Sequence, residues 1–123
     1  MKIVSTNNAP KAIGPYSQGV IVDGILYTAG QIAINPETQN IDAKTIEEQA
    51  EQVCKNLGAI LNEANTSFEN VIKTTVFIPD LSKFGVVNDI YGKYFISNPA
   101  RSCVEVNNLP KNALIEIEVI AKI

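Results

Sequence analysis

Two apolar runs, 17–22 (SQGVIV) and 25–30 (ILYTAG), flank Asp23-Gly24. An Asp-Gly pair in that setting predicts a β-hairpin. The polar stretch 35–40 (NPETQN) predicts a turn or loop. The period then changes from two to 3.6. Ile46, Ala50, Val53, Cys54, Leu57, Ile60, Leu61 and Ala64 recur at helical spacing. They form one face of an amphipathic helix about five turns long. Asp42, or Thr45 with Glu48 as a capping box, starts it. Gly58 inside the helix costs about 1 kcal/mol against alanine; a close helix–sheet contact is the expected reason. The β-branched run 71–79 (VIKTTVFIP) predicts a strand ending at proline. Asp80 caps a second helix over about 81–96, with Leu81, Phe84, Val87, Ile90, Tyr91 and Tyr94 on its buried side. Two more alternating runs, 98–106 (NPARSCVEV) and 114–123 (LIEIEVIAKI), close the chain as strands.

The order is strand, strand, helix, strand, helix, strand, strand. Each helix followed by a strand predicts a crossover onto one shared sheet. Two helices cover one face of a sheet of about five to six strands. The other face carries Ile72, Val76 and Ile78, or Leu114 and Ile120, among Thr74, Glu116 and Glu118. Such a half-apolar face is poor free surface. The expectation is a homo-oligomer with sheets facing inward and ligand grooves between subunits.

Composition narrows the function. A chain of 123 residues suits a single domain over 1–123. With 46% hydrophobic and 19% charged residues it is globular in composition. A net charge of −3 and a pI near 4.9 argue against a dedicated nucleic-acid binder. There is no histidine, and Cys54 and Cys103 lie in no metal-ligand spacing. A metal site and a Ser-His or Cys-His nucleophile are therefore not expected. No apolar run has the length of a signal peptide or a membrane span, so a cytoplasmic protein with reduced thiols is expected.

The candidate chemistry lies in the last two strands. Arg101 shares a face with Cys103 and Glu105. A planar guanidinium grips a carboxylate bidentately. The alternative is a salt bridge to Glu105, Glu116 or Glu118, within or between chains. Glu116 could orient a water or move a proton, and Glu118 on the same strand face is its rival. Cys103 has no histidine to activate it and reads as a small hydrophobe. Tyr16, in 13–19 (IGPYSQG), is a pocket wall or an anchor for the N-terminal segment. Gly30, in 28–32 (TAGQI), permits close approach of a ligand or backbone. Asn88 reads as facing water rather than a pocket.

Taken together, IGPYSQG, AGQI, VIKTTVFIPDL, NPARSCVEVNNLP and ALIEIEVIA resemble the Rid family (RidA/YjgF type, reactive intermediate deaminases) from end to end. The resemblance implies an α+β, chorismate-mutase-like domain with a mixed sheet, two helices on one face and a homotrimeric barrel. Ligand sites would lie between subunits. It implies hydrolysis of 2-aminoacrylate, 2-aminocrotonate and their 2-imino acid tautomers to 2-oxo acids and ammonia. This is a 2-iminobutanoate/2-iminopropanoate deaminase activity, using no cofactor and linked to PLP-dependent dehydratases that release the enamines. Residue by residue, it implies that Arg101 grips the substrate carboxylate and Glu116 positions or activates water. Cys103 and Gly30 would make backbone contacts, with Tyr16 as wall and Asn88 lining the cleft. Many deaminating members carry serine where this chain has Ala29, whose backbone would stand in. That absent hydroxyl sustains an alternative, a non-catalytic binding or regulatory module for 2-oxo acids or related carboxylates. Translation, RNA cleavage and chaperoning are also linked to the family, and the acidic pI disfavours a nucleic-acid role.

Overall fold

The computed structural model describes all 123 residues. Six strands form one sheet in the order β1-β2-β3-β6-β4-β5. They are β1 (Lys2–Val4), β2 (Gly19–Val22), β3 (Ile25–Thr28), β4 (Val71–Ile78), β5 (Ala100–Glu105) and β6 (Glu116–Lys122). Asp23 and Gly24, with φ of 51° and 76°, make the tight turn between β2 and β3. Positive φ at both positions is what a turn matching strand twist requires. Only β4 and β5 pair in parallel; every other pairing is antiparallel, so the sheet is mixed.

Helix α1 (Ile46–Glu63) begins on Thr45, not Asp42. The Glu48 N–H donates to Thr45 Oγ1 at 3.2 Å, and that hydroxyl donates to the Glu48 carboxylate at 2.9 Å. Asp42 instead accepts from Thr38. A Cβ at Gly58 would lie 3.2 Å from the Phe68 ring, so the close contact is with the turn before β4 and not with the sheet. Helix α2 (Phe84–Tyr94) follows a single 3₁₀ turn, Leu81–Lys83, whose Ser82 N–H is capped by Asp80. Val87 and Tyr91 are buried as expected, but Leu81 and Phe84 are exposed.

Val53, Leu57 and Ile60 of α1 and Val87 of α2 pack with Leu26, Val76, Ile78, Ile117, Val119 and Ala121 in one core. All helical cover therefore lies on one sheet face. In β4 that face carries Thr74, Val76 and Ile78. A bulge between Val71 and Lys73 leaves Ile72 exposed and fixes this phase. The helix-free face carries Lys73, Thr75 and Phe77 of β4, paired with Ile120, Glu118 and Glu116 of β6. It is apolar in patches: Ile3 is 61% exposed, Tyr27 44% and Val104 41%. No helix is long and apolar enough to cross a membrane.

Candidate functional site

Where β3 leaves its partner β6, the backbone opens a notch. Tyr27 still pairs with Ile120. At the next residue the Thr28 hydroxyl replaces the backbone, accepting from the Val119 N–H at 3.0 Å. The Ala29 N–H turns the other way, to the Gln18 carbonyl at 2.9 Å. Gln31 then rejoins the sheet, exchanging both backbone hydrogen bonds with Ile117 at 2.9 and 3.1 Å. Gly30 is thus held over Glu116. Its N–H and C=O bond to nothing in the chain. A Cβ at this position would come within 2.9 Å of Glu116 Cδ, so the carboxylate is seated where only glycine leaves room.

These residues open into a cleft of about 270 Å³ lined by Tyr16, Ala29, Gly30, Ile32, Lys11 and Glu116 among others. Glu116, not Glu118, faces this cleft. The Gln31–Ile117 bridge decides between them by bringing Gly30 to Glu116. The Glu116 carboxylate makes no hydrogen bond or ion pair within the chain. Partial burial pushes its pKa above the ordinary glutamate value, and the like charge of Glu118 adds to the effect. Such a group is suited to exchanging protons closer to neutrality than a free carboxylate is.

The cleft walls depend on residues that sequence reading missed. Gln18 is buried; its Oε1 accepts from the Thr6 N–H at 2.6 Å, and its Nε2 donates to the carbonyls of Thr6 and Pro10 at 3.0 and 2.8 Å. It ties down the segment that carries Tyr16, whose phenol accepts from the Ile13 N–H at 3.2 Å. Asn56 of α1 donates to the carbonyls of Ile32 and Ile34 at 3.2 and 2.9 Å. Gln49 accepts from the Leu114 N–H just before β6. The available signal for Gln49 and Asn56 is polarity among apolar helix neighbours, because a buried amide needs partners. Gln18 gives no such signal; its partners are backbone groups of an irregular loop.

Arg101 lies elsewhere. It pairs in register with Thr74, on the helix side of edge strand β5. Its Nη1 donates to Asn88 Oδ1 at 2.7 Å, and its guanidinium lies 5.1 Å from the Phe84 ring centre and 4.8 Å from that of Tyr91. No carboxylate of the chain pairs with it, since the single ion pair is Lys93–Glu51. The intrachain salt bridge to Glu105, Glu116 or Glu118 is therefore absent. Asn88 faces Arg101, which corrects the water-facing reading. Phe84 is exposed for the same reason: it covers Arg101 and not the core. Cys103, two residues along, is half-buried; burial pushes its thiol up while Arg101 counters. Cys54 is fully buried, with its thiol pushed up to about 12. Neither is a poised nucleophile.

The structure thus splits the candidate residues into two groups. Tyr16, Ala29, Gly30 and Glu116 share the cleft, whereas Arg101, Asn88 and Cys103 share the β5–α2 edge. Within one chain they face opposite sides of the sheet.

The domain family described as Endoribonuclease L-PSP matches residues 6–123. A Lactococcus lactis protein named only as a candidate regulator, AldR, is 55% identical over 100% of this chain and 98% of its own. The 2-iminobutanoate/2-iminopropanoate deaminase of Rattus norvegicus is 49% identical over 98% of this chain and 88% of its own. A crystal structure from Yersinia pestis, described as a protein of unknown function of the conserved Rid family, superposes with a TM-score of 0.96 at 51% identity, covering 99% of this chain and 98% of that one.

Proposed function

The chain belongs to the Rid (endoribonuclease L-PSP) family, and on that footing we propose that it hydrolyses 2-imino acids to 2-oxo acids and ammonia. The substrates are the tautomers of 2-aminoacrylate and 2-aminocrotonate, released by PLP-dependent dehydratases in the cytoplasm. The observation that carries this reading is Glu116. It is a carboxyl with a raised pKa, free of partners, in a cleft beside unbonded backbone groups of Gly30. The deaminase name of a 49%-identical relative supports the same chemistry.

In this scheme the active site is shared. One chain supplies Glu116, Gly30, Ala29 and Tyr16. A neighbour in a homotrimer supplies Arg101, with Asn88 and Cys103 beside it. The opposite-face placement of Arg101 and Glu116 favours sharing, as does the half-apolar helix-free face that other copies would cover. Arg101 binds the substrate carboxylate through its open fork. Glu116 takes a proton from water as its oxygen bonds to the imine carbon, and the C=N π electrons move to nitrogen. Cleavage of the C–N bond in the resulting carbinolamine then forms the C=O. For this, Glu116 first returns its proton to the nitrogen, giving the neutral carbinolamine, and then carries the carbinolamine hydroxyl proton to the same nitrogen as the C=O forms, so that ammonia leaves. Positioning, and charge placed for the addition step, supply most of the acceleration.

The test is a coupled assay in which a threonine dehydratase generates the enamine while semicarbazide traps unhydrolysed imine. The protein is expected to outcompete the trap. Failure to do so with both serine- and threonine-derived enamines overturns the reading. Gly30→Ala is expected to lower the rate about 10²-fold by pushing the carboxylate aside, with an unchanged circular dichroism spectrum; full activity would mean that the carboxylate position is immaterial. A second reading, carboxylate binding without turnover, is favoured by Ala29 and by the relative named as a candidate regulator. Saturable binding of 2-oxobutanoate with no hydrolysis would select it.

A further inference from the structure

Arg101 is an anomaly for a chain with 13 acidic residues. Glu105 lies four residues along on the same strand face, yet it is engaged elsewhere, accepting from the Leu81 N–H at 2.9 Å. The only side-chain acceptor given to Arg101 is the neutral amide oxygen of Asn88. The rest of the guanidinium meets aromatic rings. Tyr91 is itself fixed from two sides. Its phenol shares a 2.7 Å hydrogen bond with Thr74, which is fully buried and stands beside Arg101 in the β4–β5 register. Its ring stacks on Phe95 with centroids 4.2 Å apart. Phe84, in the first turn of α2, closes the outer side.

We infer that Asn88, Phe84 and Tyr91, the last anchored by Thr74, form a charge-neutral clamp that sets the direction of Arg101 without neutralising it. The clamp thereby keeps a full cation available to a small carboxylate. The inference rests on the reading of Arg101 as a carboxylate anchor. A carboxylate at position 88 would orient the guanidinium equally well but compete with the ligand for its charge. An aromatic pair holds a weakly hydrated guanidinium without using its in-plane donors. Asn88, Phe84, Tyr91 and Thr74 are positioning residues.

The experiment compares wild type, Asn88→Ala and Asn88→Asp by calorimetric binding of 2-oxobutanoate, by KM and kcat in the coupled assay, and by Tm. Asn88→Asp is expected to weaken binding about 10- to 100-fold. Asn88→Ala keeps the cation and loses only its orientation, so it should weaken binding less. The loss should fall on KM more than on kcat. Asn88→Asp should nevertheless melt no lower than Asn88→Ala, because it adds an ion pair to the fold. A purely structural Asn88 predicts the reverse: the aspartate variant would bind like wild type and the alanine variant would be the damaged one. That order overturns the clamp. Wild type that fails to bind 2-oxobutanoate overturns it too. Binding without turnover overturns imine hydrolysis while leaving the clamp to be judged by the same order of affinities.

Discussion

Replacing Arg101 with alanine is expected to lower kcat/KM for imine hydrolysis by about 10²–10⁴-fold. Two charge-assisted hydrogen bonds to a carboxylate, each worth about 1.5–3 kcal/mol, would be lost. Loss of substrate alignment adds to that. The fold should survive, because Arg101 lies on edge strand β5 and makes one side-chain hydrogen bond within the chain. Its removal takes away stacking on Phe84 and Tyr91, about 1–2 kcal/mol in total. Arg101→Lys should recover little, since an ammonium on a flexible stem does not reproduce the fork. The coupled assay with circular dichroism and melting as controls decides the matter. A folded Arg101→Ala protein with near-normal catalysis would remove the carboxylate anchor from the scheme.

Glu116→Gln is expected to lower kcat by about 10²–10⁴-fold, the usual range for losing a positioned acid–base group. Substrate binding should be largely kept, because the carboxylate anchor is a different residue. Stability should move the other way. Burial raises the Glu116 pKa in the folded chain, so the folded state binds this proton more tightly than the unfolded state does. The stability this contributes is fully present below the unfolded glutamate value. It is lost as pH rises through the folded value. At neutral pH the ionised group is therefore a burden on the fold that glutamine lacks, and Glu116→Gln should melt no lower than wild type. The same shift sets the acid limb of the rate. Activity that needs the carboxylate form should fall as pH drops through a value above that of an ordinary glutamate. An acid limb at or below the ordinary value, or an active Glu116→Gln, would exclude Glu116 as the proton carrier.

Much of this architecture is written in local pattern. The stripe from Ile46 to Ala64 is buried in α1 as its spacing requires, and Asp23-Gly24 turns the hairpin. Strand β1 escapes such reading because Lys2–Val4 is too short to carry a period; its pairing with β2 makes it a strand. The phase of β4 is equally hidden. Thr74, Val76 and Ile78 face the helices while Ile72 is exposed, because the chain bulges between Val71 and Lys73. Of the apolar residues weighed for the helix-free face, Ile120 lies there, whereas Val76 and Ile78 face the helices and Leu114 packs against the helix-side core. At the site, residue types were legible and their grouping was not. Alternation marks Arg101 and Glu116 as unusual on their strands. Their lying on opposite faces depends on register between strands distant in sequence. The choice of Glu116 over Glu118 depends on Gly30 being carried across by a backbone bridge that no local pattern announces.

The opposite-face arrangement of Arg101 and Glu116 has a genetic corollary under the shared-site scheme. A chain lacking the arginine still offers a whole glutamate half-site, and a chain lacking the glutamate still offers a whole arginine edge. Coexpressed, two individually dead alleles would restore some intact sites at mixed interfaces, so the two lesions would complement each other. Two different lesions within the same half would not.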